Sequence, residues 1–139
     1  MSRYLVIGCS GSGKSTVARE IADICDVPYH DTDSLYWCEN WKRSSDEEVI
    51  ASLPLDSERW VIDGNFVCHR HEVWQRATSI IWLDLPHGTV MRRVIRRNLG
   101  WWISQKPTWS GGRMPLGIAW SGICHAWKQR ERIGLGQRA

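Results

Sequence analysis

The sequence feature that most limits the possible fold is a glycine-rich octapeptide at residues 8–15, GCSGSGKS, which matches the pattern G-x-x-x-x-G-K-[ST]. The apolar run at residues 4–7 before it is typical of a strand buried on both faces of a parallel sheet. Val17, Ile21 and Ile24 follow at helical spacing. Between a strand and a helix, such a loop directs backbone N–H groups and the helix N-terminus at phosphates. We therefore expect nucleotide binding by Gly8, Ser10, Gly11, Ser12, Gly13, Lys14, Ser15 and Thr16.

The motif also predicts separate roles for its last two residues. We expect the Lys14 ammonium to reach the β- and γ-phosphates of a nucleoside triphosphate, and the Ser15 hydroxyl to ligate Mg²⁺. The alternative, a glycine-rich turn that merely joins a strand to a helix, is disfavoured by the context of the motif.

The rest of the chain alternates between strand and helix patterns. Short apolar runs predict further strands at residues 27–30, 60–64 and 80–84. Helices are predicted from residue 14 to an exit marked by Pro28, and at residues 45–53, 72–77, 89–98 and 118–132, the second of them starting with the capping-box spacing of Ser45 and Glu48. Alternation of this kind predicts one α/β domain over residues 1–139, with a parallel sheet between layers of helices.

Aspartates close three of the predicted strands. Asp31 and Asp33 lie two residues apart after the strand at 27–30, so both would face the crevice where open α/β sheets bind ligands. One could orient an acceptor hydroxyl while the other holds a metal-bound water; the alternative is that they cap a loop. Asp63 is the better candidate for Mg²⁺ contact, and Asp84 is interpreted mainly as structural.

Four segments of the chain together resemble a known group of proteins. They are the glycine loop, HDTDSLYW at 30–37, WVIDGNF at 60–66, and IWLDLP at 81–86 followed by an arginine-rich helix. Over residues 3–98 they look like the small P-loop kinases catalogued as adenylate-kinase-related or topology-modulation proteins. The Asp-Thr-Asp triplet is also similar to the D-x-D of shikimate and gluconate kinases.

The resemblance implies a three-layer P-loop fold that uses ATP and Mg²⁺ to phosphorylate a small acceptor. It implies a five-stranded parallel sheet with a lid after the fourth strand, here about residues 98–116; no fifth strand is evident in the sequence. The D-x-D similarity places Asp31 near the metal and Asp33 at the acceptor. The implied catalytic residues are Lys14, Asp33, Arg93 and Arg97, and the implied metal residues are Ser15, Asp31 and Asp63.

Arginines on the helix at 89–98 supply the cations that phosphoryl transfer needs in addition to the loop lysine. Arg93 and Arg97 match the resemblance best, whereas Arg92 and Arg96 are expected to face solvent or carboxylates. The alternative is a basic helix face that only keeps the protein solvated.

The charge distribution keeps a second class of function open. Residues 1–84 carry 8 basic and 14 acidic groups, whereas residues 85–139 carry 10 basic groups and one acidic group. The second part also contains several of the 10 tryptophans. A nucleotide-switched module that grips single-stranded nucleic acid through phosphate contacts and base stacking is therefore the alternative to a kinase.

The cysteines and the hydropathy pattern predict a compartment. Five cysteines without a C-x-x-C pair argue against a disulfide framework and a tight zinc site. The sequence shows neither a signal peptide nor an apolar run of about 18 residues that could span a membrane. We expect a cytoplasmic protein; the acceptor and the oligomeric state are not indicated.

Overall fold

The computed structural model describes residues 1–36, 44–66 and 69–104. Within them the chain forms a parallel sheet of four strands in the order β2-β3-β1-β4. The strands are β1 (Ser2–Gly8), β2 (Tyr29–Asp31), β3 (Arg59–Asp63) and β4 (Ser79–Leu83). The first strand is central because residues 4–7 are apolar without interruption, which suits burial on both faces.

Helices cover both faces of this sheet. They are α1 (Lys14–Cys25), α2 (Thr32–Tyr36), α3 (Asp46–Ser52), α4 (Arg70–Val73) and α5 (His87–Ser104), with a 3₁₀ turn at Trp74–Arg76. None of the helices in the described ranges has both the length and the apolar character needed to cross a bilayer. The predicted helix at 118–132 lies outside the described residues.

Side-chain alternation along the strands divides the core into two parts. Leu5, Ile7, Trp60 and Ile62 point to the side of α3, where they pack with its apolar residues. On the opposite face the cluster contains Val6, Ala18, Ala22, Val27 and Val61, and α1 is the helix that supplies its alanines. Because successive strand residues face opposite sides, one apolar run serves both layers. The predicted three-layer α/β arrangement is confirmed.

The capping box at the start of α3 is also confirmed. The Ser45 hydroxyl accepts the Glu48 backbone N–H at 3.2 Å, and the Ser45 backbone N–H donates to the Glu48 carboxylate at 2.9 Å. These reciprocal bonds satisfy groups that the helix itself cannot pair.

Two predicted boundaries were wrong. The strand predicted at 27–30 is instead Tyr29–Asp31, so Asp31 is its last residue and not a loop residue after it. The helix predicted at 89–98 extends to Ser104, which places residues 98–104 of the predicted lid in α5. A lone glycine such as Gly100 weakens a helix by only about 1 kcal/mol. The next proline after the start of α5 is Pro107, so no proline interrupts the helix before Ser104. The remainder of the predicted lid, residues 105–116, lies outside the described residues.

Candidate active site

The glycine loop connects β1 to α1 and curls around the N-terminus of the helix. Gly11 and Gly13 have φ angles of 83° and 95°, in the left-handed region that favours glycine. Gly13 is the N-cap of α1 and no side chain caps that end, which leaves first-turn N–H groups available to an anion. Thr16 is exposed in this first turn, where its N–H donates to the Gly13 carbonyl at 3.1 Å.

The loop is too crowded for larger residues. A Cβ on Gly8 would lie 2.6 Å from Ser12 Oγ, and a Cβ on Gly11 would lie 2.5 Å from Val94 Cγ2. The Ser12 hydroxyl is buried without a hydrogen-bond partner in the described part of the chain. A polar, glycine-lined concavity with an unpaired hydroxyl suits a ligand that brings its own acceptor oxygens, as a phosphate does.

Lys14 lies in the same concavity. Its ammonium donates to the Cys9 carbonyl at 3.3 Å. Burial lowers the pKa of Lys14, while the negative charges of Asp33 and Asp63 raise it and Arg97 lowers it further. An anionic phosphate would favour the charged form of this lysine by the same electrostatic argument.

Ser15 and Asp63 are joined at the head of α1. The Ser15 hydroxyl donates to the Asp63 carboxylate across 2.6 Å, and Asp63 itself is 2% exposed at the end of β3. Burial raises the pKa of Asp63, the Ser15 hydrogen bond lowers it, and the nearby Asp31 and Asp33 raise it again. A cation beside this carboxylate would offset the cost of burying its charge.

Sequence reasoning missed the part that Thr32 plays in holding Asp63. The Thr32 N–H donates to Asp63 Oδ1 at 3.3 Å, and its hydroxyl donates to the Asp63 backbone carbonyl. Both bonds arise because β2 pairs with β3 in a register that sets Asp31 opposite Asp63. In the sequence, the one signal for this contact is a threonine that comes directly after the end of a strand.

Asp31 caps the short helix α2. Its Oδ1 accepts the backbone N–H of Asp33 at 3.0 Å and of Ser34 at 3.4 Å. Its Oδ2 lies 3.8 Å from Nη2 of Arg19, whose side chain is mostly exposed. The capping alternative therefore describes the contacts of Asp31 in this structure, and its role at the metal stays a prediction.

Asp33 occupies the first turn of α2 and is exposed. The negative charge of Asp33 raises the pKa of Lys14 in the glycine loop and of Arg97 on α5. Asp33 is therefore close enough to both elements to act on their cations. Asp33 is thus near the cations expected to bind phosphate, and its contact with an acceptor stays a prediction.

The two selected arginines reach the glycine loop from α5. Arg97 donates to the Ser10 hydroxyl at 3.1 Å, and Nη1 of Arg93 lies 4.0 Å from where a Cβ on Gly13 would stand. Arg97 is exposed as a residue, but burial of its guanidinium against the loop lowers its pKa, while Asp33 raises it. Arg92 and Arg96 are exposed as well, and their expected orientation toward solvent or carboxylates stays a prediction.

Asn65 supports the loop from behind, a role that the sequence did not indicate. Its side-chain oxygen accepts the Gly8 N–H at 2.9 Å in a buried position. The Trp74 indole N–H donates to the Asn65 carbonyl at 3.1 Å, which fixes the turn after β3. The side chain of Asn65 therefore supports the glycine loop.

The metal-binding capacity of the site rests on few protein ligands. Across the described ranges, no cluster of three or more His, Cys, Asp or Glu side chains is arranged to hold a metal ion. Mg²⁺ in nucleotide enzymes characteristically uses one or two protein ligands together with phosphates and waters. The pair of Ser15 and Asp63 fits that pattern, since both offer hard oxygen atoms.

Comparison with known proteins defines the class of fold. No protein-family model matches the sequence, and a search of curated proteins also finds no match. The structure is similar to a gluconokinase from Sinorhizobium meliloti 1021, with a TM-score of 0.53 and 20% identity over 97% of each chain. A sugar kinase from Janibacter sp. HTCC2649 gives a TM-score of 0.49 and 20% identity over 91% of this chain and 78% of its own.

The chain has the P-loop α/β kinase fold, as shown by its parallel sheet, flanking helices and structural similarity to the gluconokinase. The narrower resemblance to adenylate-kinase-related and topology-modulation proteins stays a prediction.

Proposed function

We propose that this protein is a Mg²⁺- and ATP-dependent phosphotransferase that moves the γ-phosphate to a small-molecule acceptor bound beside Asp33. The observation that carries the proposal is the 2.6 Å hydrogen bond from Ser15 to the buried carboxylate of Asp63, directly after Lys14 at the end of the glycine loop. Ser15 on α1 and Asp63 on β3 are 48 residues apart in the sequence, and the fold brings their hydroxyl and carboxylate to one end of the phosphate cradle.

The residues present fit both parts of a magnesium nucleotide. The cradle at Gly8 and Gly11 leaves no room for a Cβ, and the buried Ser12 hydroxyl has no partner in the described residues. Ser15 would hold the metal directly and Asp63 would hold it through Ser15 or a water, with Asp31 further out at the strand end. When bound, Mg²⁺ supplies neutralisation of the charge on the β- and γ-phosphates.

The chain's own cations and carboxylates account for the remaining roles. Lys14 binds the phosphates from inside the loop, while Arg93 and Arg97 approach from α5. Because charge spreads over the transferred group in the transition state, donors on several sides stabilise it more than they stabilise the bound nucleotide.

Asp33 is the proposed acceptor-side residue. The acceptor oxygen forms a bond to the γ-phosphorus while the bond from that phosphorus to the bridging oxygen breaks, and ADP leaves. The hydroxyl proton passes to the Asp33 carboxylate, which the exposed position of this residue in the crevice permits. Residues around Asp33 would select the acceptor, so the starting panel is a broad set of hydroxyl- and phosphate-bearing compounds.

The test is ATP turnover by the full chain with Mg²⁺ against pools of nucleoside monophosphates, sugars, gluconate and small alcohols, with products identified by mass. Gluconate is included because the gluconokinase shares the fold. Lys14→Ala should abolish nucleotide binding, whereas Asp33→Ala should retain binding and lose transfer. Equal loss of both in Asp33→Ala would contradict its acceptor role.

A measurement of binding to single-stranded DNA distinguishes the kinase from the nucleic-acid-binding alternative. No specific contact in the described residues favours that alternative, although the four arginines of α5 are unaccompanied by acidic residues on that helix. Affinity for DNA that falls steeply with salt, together with no phosphorylated product from any pool, would overturn the kinase proposal.

A further inference from the structure

Tyr29 brings a buried hydroxyl to the edge of the proposed metal site. It is the first residue of β2, and its ring packs against the apolar cluster on the α1 side of the sheet. Because strand side chains alternate, Tyr29 and Asp31 face the same side, and Asp31 is paired in register with Asp63. The Tyr29 hydroxyl therefore points along the face that ends in the two carboxylates.

The surroundings of this hydroxyl are polar, yet its hydrogen bonding is incomplete. Ser15, Asp63 and Asp31 are all close enough to Tyr29 to act on its hydroxyl. The buried Tyr29 oxygen nevertheless has no hydrogen-bond partner among the described residues. Leaving a buried hydroxyl unpaired is unfavourable, so a small rotation of Ser15 or Tyr29 that brings the two into a hydrogen bond is favoured.

The donor and acceptor inventory of Ser15 allows such a bond together with metal binding. The single proton of Ser15 goes to Asp63, which leaves two lone pairs on its oxygen. One lone pair would face the metal, and the other is free to accept a proton donor. An ordinary tyrosine is protonated at neutral pH and has one proton to give.

Arg19 holds the Tyr29 ring from its outer side. The centre of its guanidinium lies 5.4 Å from the ring centroid, and the same group lies 3.8 Å from Asp31. The ring thus lies between Arg19 and the apolar cluster, and these contacts on both sides restrict its orientation. A group whose orientation is restricted in this way can orient its neighbour.

We propose that Tyr29 is a positioning residue of the metal site, whose hydroxyl donates to Ser15 and completes a chain of hydrogen bonds from Tyr29 through Ser15 to Asp63. The chain directs one lone pair of Ser15 at the ion and restricts rotation of its side chain. The inference rests on the proposed function, because it assigns Mg²⁺ to Ser15. Residues that orient a metal ligand influence metal affinity without touching the ion.

The test is a Mg²⁺ titration of a fluorescent N-methylanthraniloyl-ATP bound to the full-length protein, with Tyr29→Phe against Tyr4→Phe. Tyr4 is the matched control, since it packs against the same apolar cluster from β1. Loss of one hydrogen bond should raise the Mg²⁺ midpoint about 3- to 10-fold in Tyr29→Phe and leave it unchanged in Tyr4→Phe. The affinity for the nucleotide in EDTA should be the same in all three proteins.

A double-mutant cycle with Ser15→Ala distinguishes positioning from a general structural effect. Once Ser15 has lost its hydroxyl, Tyr29→Phe should have no further effect on the midpoint. Additive effects, an unchanged midpoint in Tyr29→Phe, or an equal loss of affinity in EDTA would overturn the inference while the kinase proposal stands. Nucleotide binding by the unmodified protein that ignores Mg²⁺ would overturn both.

Discussion

Arg97 donates a hydrogen bond to the Ser10 hydroxyl across 3.1 Å, although 87 residues separate the two in the sequence. The bond joins the arginine helix to the middle of the phosphate loop. It places a guanidinium beside the backbone N–H groups that would receive the terminal phosphate of a nucleotide. The contact gives a structural basis for choosing Arg97 over its neighbours on the same helix.

Arg97→Ala should lower the turnover number by about 100-fold or more, because one oriented cation is lost where charge develops in the transition state. Arg92→Ala is the matched control, since Arg92 is exposed on the same helix and should change turnover less than about 2-fold. Steady-state turnover with the phosphorylated acceptor measures both. Equal losses in the two variants would indicate a general effect of helix charge.

Asp63→Asn should stabilise the ligand-free protein at neutral pH. The melting temperature of the variant should no longer depend on Mg²⁺. Burial raises the pKa of Asp63 in the folded state above its ordinary value of 3.8. The folded state therefore binds the proton more tightly than the unfolded state, and its stability falls as the pH rises from the ordinary value through the raised one. Asparagine does not titrate, so Asp63→Asn does not lose stability in this way. The difference in melting temperature between Asp63→Asn and the unmodified protein should therefore grow as the pH rises across that range.

Melting curves from pH 3.5 to 8, recorded in EDTA and again with Mg²⁺ and ATP, test this prediction. Mg²⁺ and ATP should raise the melting temperature of the unmodified protein more than that of Asp63→Asn, in which ATP can still bind the loop. A constant difference between the two proteins in EDTA at every pH would show that Asp63 is not the source of the pH dependence.

Asp31→Asn separates helix capping from metal binding. The amide keeps an oxygen that can accept the N–H groups of Asp33 and Ser34, so the free energy of unfolding should change by less than about 0.5 kcal/mol. The Mg²⁺ midpoint should rise at most about 10-fold, less than in Asp63→Asn, because Asp31 would act through a water. Urea unfolding and the Mg²⁺ titration measure the two effects independently, and a midpoint shift as large as that of Asp63→Asn would make Asp31 a direct ligand.

Two glycine-to-alanine changes should have opposite effects on stability. At Gly11 the new Cβ would lie 2.5 Å from Val94 and the backbone has a φ of 83°, so Gly11→Ala should destabilise the fold by about 1–3 kcal/mol and weaken nucleotide binding. Gly100 lies in α5, where no atom of the described residues comes within 4 Å of a new Cβ, so Gly100→Ala should stabilise by about 0.5–1 kcal/mol. Urea denaturation measures the change in the free energy of unfolding for both variants. A change in the same direction in both would contradict the close packing of Gly11 in the loop.

The sequence predicted the features that depend on local patterns. The glycine loop, the apolar strands and the capping box each lie in a short segment whose residues determine its conformation. The contacts of Thr32 and Asn65 were not predictable in this way, because they depend on which strands pair and in what register. The predicted end of the helix at residue 98 was too early, because glycine has a low helix propensity and α5 nevertheless continues through Gly100.

The packing of Gly11 against Val90 and Val94 has a mechanical consequence for the site. Both valines are at most 1% exposed, and the loop backbone lies directly on them. Arg93 and Arg97 lie on the same helix as these valines, so the backbone that carries the two arginines cannot move away from the loop without opening the core between them. The points at which both arginine side chains begin are therefore held at a constant distance from the cradle.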